Sequence, residues 1–350
     1  LHLDSKMETL PTEKSKIRRE DVLRTFERLT DYATENGVSV VIIAGDMFDT
    51  SRVTIRTRER VIKAIENNST VEFLYLSGNH DDDNFVSTCE NLPCNFKVFS
   101  DKWSAFDYGE VVVSGVKLTT HNCGTIYDDL SLDEKRINIV TLHGQIADYK
   151  GSETAQKISL PLLKDKNIDY LALGHVHEYS QGQLDLRGKY AYAGCLEGRG
   201  FDELGDKGFV LIEVEDGNLN TNFVEFSSRS LHQLDYDITE KHSWIDARAE
   251  ILSLAKDYFD TKSLVKVLIK GEHDINLDVD KDGLSLRLNE MFFFAKVYDK
   301  TKLKITADDY ALDKTVRGEF VRAVWESDLD ADEKYKVIMC GLNALKGEDF

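Results

Sequence analysis

Apolar positions along the chain change their period several times, and each change predicts an element. From Ile17 to Glu35 the residues Ile17, Val22, Leu23, Phe26, Leu29 and Ala33 recur at helical spacing, and Asn36-Gly37 supplies the stop. Val38 to Ala44 is a short, β-branched apolar run that reads as a buried strand ending at Gly45. Thr54 to Asn67 is helical again, with Val61, Ile62 and Ile65 inward, and Val71 to Leu76 is a second buried strand closed by Ser77-Gly78. Strand and helix in alternation predict an α/β layered core. Further strands are expected at Glu110–Val113, Asn138–Leu142, Asp169–Leu173, Tyr190–Ala193, Gly208–Val214 and Asn220–Phe226. Asp216-Gly217-Asn218 is the turn of a hairpin joining the last two. So many strands with few helices imply a second sheet packed on the first.

Beyond about Arg229 the pattern shifts. Ile245–Phe259 reads as a helix, Leu264–Lys270 and Leu284–Leu288 as strands, and Thr315–Trp325 and Asp332–Leu345 as two amphipathic helices. A boundary near Ser228 divides the chain into regions 1–228 and 229–350. Two regions suit a length of 350 residues, which is more than one core usually supports.

Polar clusters fall where strands end. They are His2 in Leu1-His2-Leu3-Asp4, then Gly45-Asp46-Met47-Phe48-Asp49, then Gly78-Asn79-His80-Asp81, then His143-Gly144, then Gly174-His175-Val176-His177. Ligand sites of α/β proteins collect at the carboxyl ends of strands. Carboxylate, amide and imidazole donors together suit Mn, Zn or Fe(II) better than calcium. An Asp has two oxygens and can bridge two ions, and an ion pair ~3.5–4 Å apart can clamp both the attacking and the leaving oxygen of a phosphoester.

Charge narrows the choice of substrate. Lys and Arg total 44 against 63 Asp and Glu, a net charge of −19. A protein holding DNA mainly through non-specific phosphate contacts would more often be basic, so any nucleic acid must be held by local features, by metals or by a partner. Five cysteines, odd in number and without a C-x-x-C pair, point to reduced thiols and a cytoplasmic location rather than a disulfide framework. No apolar run approaches the ~18 residues of a membrane helix, and no signal peptide is visible.

The ordered set His2, Gly45-Asp46-x-x-Asp49, Gly78-Asn79-His80-Asp81, His143 and Gly174-His175-x-His177 resembles the calcineurin-like metallophosphoesterase superfamily. Within it, Leu1-His2-Leu3-Asp4-Ser5, Ala44-Gly45-Asp46-Met47-Phe48-Asp49-Thr50 and the stretch from Ala193-Gly194 through Gly198-Arg199 to Lys207-Gly208-Phe209 resemble the SbcD family, closest to its YhaO-like branch of repair exonucleases. The resemblance implies a two-sheet metallophosphoesterase sandwich flanked by helices, with a smaller α+β C-terminal capping region that also docks a partner. It implies that His2, Asp46 and His177 hold one metal, and that Asp46, Asn79, His143 and His175 hold the other. His80 would act as a catalytic group at the leaving oxygen, Asp81 would orient it, and Asp49 would lie just outside the ligands. The implied cofactor is a pair of divalent ions, Mn²⁺ first, with Mg²⁺, Zn²⁺ or Fe²⁺ as alternatives.

The implied function is a 3'–5' DNA exonuclease, the nuclease subunit of an SbcC–SbcD-like repair complex. Its partners would be DNA and an SbcC-like coiled-coil ATPase, with a homodimer as a further option and no membrane. Two alternatives stand beside it: a phosphoesterase acting on a cyclic nucleotide, a nucleotide or a phosphoprotein, and an inactive scaffold of the same fold. The family's first motif is Asp-x-His, whose Asp should immediately precede Leu1; its absence reads as a truncated amino terminus that also removes the first central strand. In the carboxy-terminal part, Arg317, Phe320, Val321 and Val324 form either a docking face or ordinary packing, and Arg199 either a phosphate contact or a structural ion pair.

Overall fold

A computed structural model describes residues 1–7, 9–49, 53–81, 85–86, 92–147, 156–273, 277–304 and 310–346. The chain divides into two compact units, 1–232 with 262–264, and 233–261 with 265–350.

In the first unit, helix Thr12–Glu35 begins five residues before its apolar stripe, because the polar turn from Thr12 to Lys16 extends it. Helix Ile55–Asn67 starts on Thr54, whose hydroxyl accepts from the Thr57 N–H, an N-cap that satisfies one otherwise unpaired donor. A parallel three-stranded sheet follows in the order Val40–Ala44, Glu72–Leu76, Phe96–Val98. A six-stranded sheet has the order Ser180–Gln183, Lys189–Tyr192, Tyr170–Gly174, Ile137–His143, Val111–Gly115, Ser104–Tyr108. Its four inner strands are parallel and its two edge strands antiparallel. The Gly208–Glu215 and Asn218–Glu225 strands pair as the expected hairpin.

Strand Ile137–His143 shows why the six-stranded sheet sits where it does. All seven of its residues are buried. Ile139 joins Leu74, Leu76, Phe99, Val113, Tyr170 and Ala191 in a core that takes residues from both sheets, so the two sheets face each other across it. Its neighbours in the alternation, Val140 and Leu142, enter a second core with Leu171, Leu173, Ile126, Leu130, Ile158 and Leu163. A strand apolar on both sides is the mark of a sheet covered on both faces. The resulting mixed α/β sandwich agrees with the expected fold.

The second unit is smaller and α+β. A sheet in the order Leu231–Asp237, Leu264–Lys270, Phe294–Asp299 packs Val265, Val267, Ile269, Ala295 and Val297 against helices Trp244–Tyr258 and Lys281–Met291. The strand expected at Leu284–Leu288 is a helix. Leu284-Ser285-Leu286-Arg287-Leu288 alternates in sequence, but Leu284 and Leu288 are buried one turn apart while Leu286 is 65% exposed. Asp280 caps this helix by accepting from the Gly283 N–H, so local capping outweighs the two-residue period. Strand Phe294–Asp299 was not foreseen. Helices Val316–Trp325 and Ala331–Lys346 enclose a small core of Tyr310, Val321, Ile338 and Leu342, with Phe320 and Val324 packed on it. Those helix residues therefore serve packing, and Arg317 pairs with Asp313 at 3.6 Å.

Candidate metal centre

The expected ligands come from the carboxyl ends of strands in both sheets. Asp46 follows Val40–Ala44, Asn79 and His80 follow Glu72–Leu76, His143 ends its own strand, and His175 and His177 follow Tyr170–Gly174. His2 is carried in by the bridge between Leu3 and Phe48. Two glycines permit the convergence. Gly45 has φ +94°, and a Cβ there would stand 2.0 Å from His143 Nδ1; a Cβ on Gly174 would stand 1.6 Å from the Ala44 carbonyl oxygen. Asp46 (φ 50°), His175 (φ 103°) and His2 (φ 55°) adopt left-handed backbone conformations. Such strain persists where surrounding structure imposes it, and it clusters at functional sites.

The donor atoms form two trios that share one carboxylate. His2, Asp46 and His177 place ligand atoms within 4.8 Å of one another, and so do Asp46, His143 and His175. Asn79 Oδ1 joins the second trio, 2.9 Å from His143 Nε2 and 3.2 Å from His175 Nδ1.

Hydrogen-bond partners fix which ring nitrogens carry lone pairs. His2 Nδ1 lies 3.0 Å from Asp49 Oδ1, His177 Nδ1 lies 2.7 Å from Glu203 Oε1, and His143 Nδ1 lies 2.8 Å from the Ala44 carbonyl. An accepting oxygen at Nδ1 puts the proton there on His2 and His177 and leaves their Nε2 atoms bare, whereas His143 faces an oxygen at both ring nitrogens, the Ala44 carbonyl at Nδ1 and Asn79 Oδ1 at Nε2. Yet His2 Nε2 and His177 Nε2 are 2.8 Å apart, and His143 Nε2 stands 3.3 Å from Asp46 Oδ2. That oxygen is buried and has no hydrogen-bond partner among the described residues. Lone pairs and a carboxylate oxygen converging without a proton between them repel one another, and a cation relieves that repulsion. The donor set therefore fits divalent metal on the geometry alone.

Electrostatics agree. Burial pushes His2 down to about 3, which keeps it neutral and able to ligate. Burial also lowers His175. Burial would raise Asp46, but His143 and the His80 N–H outweigh it and hold the carboxyl below its ordinary range.

A third trio, His2, Asp49 and His80, has a different character. Its nitrogens are the Nδ1 atoms of His2 and His80, 3.0 and 3.3 Å from the same Asp49 oxygen. Asp49 therefore orients both rings. His80 is half-exposed, with its side chain 49% accessible. Asp81 does not make the contact with His80 that adjacency suggests. Its two oxygens accept from the backbone N–H groups of Phe48 and Gly78, tying the loops that carry Asp46 and Asn79, and Asp49 occupies the orienting position instead.

Sequence reasoning missed Glu203 and left Arg199 open. Arg199 donates to Glu203 Oε1 from Nε at 2.9 Å and from Nη2 at 2.7 Å, and its Nη1 lies 3.4 Å from Asp49 Oδ2. The glycines around this segment were a signal that the chain is shaped there, but not of which carboxylate turns inward.

Residues 1–179 match the calcineurin-like phosphoesterases, and the chain belongs to that family. Among individual relatives, the metallophosphoesterase YhaO of Bacillus subtilis is 24% identical over 69% of this chain and 62% of its own length. The chain thus spans less than two thirds of that protein. The DNA double-strand break repair protein Mre11 of Sulfolobus acidocaldarius is 22% identical over 93% of this chain and 90% of its own. The protein of the same name from Saccharolobus solfataricus is 25% identical over 84% and 81%. Family membership makes the chain a metal-dependent phosphoester hydrolase by class. No helix among the described residues is long and apolar enough to cross a membrane.

Proposed function

We propose that this chain is a two-metal phosphodiesterase that cuts DNA as a 3'–5' exonuclease, in the manner of the nuclease subunit of an SbcC–SbcD-like repair complex. The observation that carries the reading is the pair of donor trios meeting at Asp46, in a chain similar to DNA double-strand break repair proteins along most of its length. His2, Asp46 and His177 would hold one ion, and Asp46, Asn79, His143 and His175 the other. When bound, a pair of Mn²⁺ ions supplies Lewis-acid polarisation of the phosphate and a water of lowered pKa.

The protein groups do the rest. Asp46 would serve both ions, its Oδ2 lying 3.8 Å from His2 Nε2 and 3.3 Å from His143 Nε2 while its Oδ1 accepts from the His80 N–H. His80 lies with Nδ1 3.3 Å from Asp49 Oδ1 and its side chain is 49% exposed, so its other ring nitrogen would be free to donate a proton to the leaving oxygen. Asp81 keeps the two ligand loops in register. The net charge of −19 leaves affinity for DNA to a partner of the SbcC type.

The test is degradation of linear duplex DNA by the chain with Mn²⁺, repeated with EDTA and with His80→Ala. The reading expects manganese-dependent loss of DNA that EDTA abolishes and His80→Ala slows by roughly 10²–10⁴-fold. Intact DNA alongside cleavage of a small chromogenic phosphodiester would retain the metal chemistry and overturn DNA cleavage by the chain alone, leaving another substrate or a required ATPase partner.

A further inference from the structure

We infer that Glu203 and Arg199 are positioning residues for the His2–His177 metal subsite, and for that subsite selectively. The inference rests on the metal reading above. Four observations support it.

First, Glu203 is buried and paired with a cation. Its side chain is 4% exposed, and the Arg199 guanidinium donates to its Oε1 at 2.7 and 2.9 Å, the arrangement of an ionised carboxylate. An ionised carboxylate can only accept, so the 2.7 Å contact puts the proton on His177 Nδ1 and leaves Nε2 free for metal. Arg199 Nη2, 3.2 Å from the same Nδ1, then has nothing to donate to there and spends its N–H on Glu203.

Second, Arg199 connects the two carboxylates that set ring tautomers on this side. It grips Glu203, which sets His177, and reaches Asp49, which sets His2. One guanidinium thus orients both imidazoles of the subsite. A planar fork is suited to this, and a lysine could not hold both partners in the same geometry.

Third, the loop bearing the pair is anchored away from the site. Glu197 and Arg18 are fully buried and paired at 2.8 Å, and Glu197 also accepts from Thr25 and from Ser228. Arg18 further donates to the Gly198 carbonyl. Helix Thr12–Glu35 therefore fixes the start of the Gly198–Gly205 loop. Glu203 Oε2 closes the loop by accepting from the Arg199 N–H at 2.7 Å.

Fourth, the other subsite is oriented by different means. His143 Nδ1 is fixed by the Ala44 carbonyl, which no side-chain substitution at 199 or 203 removes.

The experiment is a calorimetric titration of the metal-free chain with Mn²⁺, comparing wild type, Glu203→Gln and Arg199→Lys, with thermal unfolding of each. We expect two binding steps in the wild type. Glu203→Gln should weaken one step by roughly 10–100-fold, leave the other in place and barely move the unfolding temperature. Arg199→Lys should weaken the same step less.

Nitrogen-15 chemical shifts of the metal-free wild type supply a second readout that needs no variant to fold. His177 should appear protonated at Nδ1. Protonation at Nε2 overturns the inference, as does an unchanged isotherm for Glu203→Gln or an equal weakening of both steps together with lower thermal stability. A wild-type chain that takes up no Mn²⁺ overturns the metal reading itself, an outcome separate from two steps that ignore Glu203.

Discussion

The two units of this chain bury different things. The second buries apolar side chains in the ordinary way: Val265, Val267, Ile269, Leu284 and Leu288 fill its core, and its ion pairs, such as Lys241–Glu250 and Lys270–Asp235, lie at the surface. The first buries His2, Asp46, Asp81, His143, Glu203 and the Arg18–Glu197 pair beside an equally apolar core. Burying charge costs several kcal/mol per ion unless each group is matched. Here Glu197 matches Arg18 and Arg199 matches Glu203, while at the centre Asp46 Oδ2 is left without a hydrogen-bond partner beside the ring nitrogens. The contrast separates packing that only holds a fold from packing that holds a ligand site open.

Several substitutions break or sharpen that contrast. Asp46→Asn removes the shared carboxylate and should abolish manganese-dependent hydrolysis, a loss of about 5 kcal/mol of transition-state stabilisation or nearly four orders of magnitude, checked by single-turnover cleavage of a phosphodiester. His80→Ala should lower the same rate by roughly 10²–10⁴-fold while leaving Mn²⁺ binding by calorimetry unchanged, because the ring is oriented by Asp49 and lies outside both ligand sets. In the second unit, Leu284→Ala should cost about 2–5 kcal/mol in denaturant unfolding, whereas Leu286→Ala should stay within about 0.5 kcal/mol. Neither should change metal affinity. Equal losses at 284 and 286 would contradict the helix.

A further effect concerns pH. Burial holds His2 near 3 against an ordinary value of about 6.5. Between those values the unfolded chain binds a proton that the fold does not, so stability of the metal-free protein falls as pH drops from about 6.5 toward 3. His2 contributes a slope of up to about 1.4 kcal/mol per pH unit. Urea unfolding of wild type and His2→Asn across that range reads it directly, and parallel curves would contradict the burial argument.

Much of the first unit was legible in the sequence because its signals are local. Apolar runs ending in Gly-Asp, Gly-Asn-His and Gly-His mark strands delivering polar groups to one edge, and the structure brings those groups together. Asp49, Asp81 and Glu203 were harder, because their roles depend on which loop each carboxylate faces across the fold. Asp81 is next to His80 in sequence yet bonds Phe48 and Gly78, while Glu203 reaches His177 from 26 residues away. In the second unit, Leu284–Leu288 misled because a five-residue run fits both periods, and the deciding cap at Asp280 is a single side chain.

The central claim is a pair of metal ions joined by Asp46, and anomalous diffraction from crystals soaked in Mn²⁺ tests it most directly. The account predicts two peaks about 3.5–4 Å apart, one among His2, Asp46 and His177 and the other among Asp46, Asn79, His143 and His175. A single peak among His2, Asp49 and His80, or none touching Asp46, would contradict it.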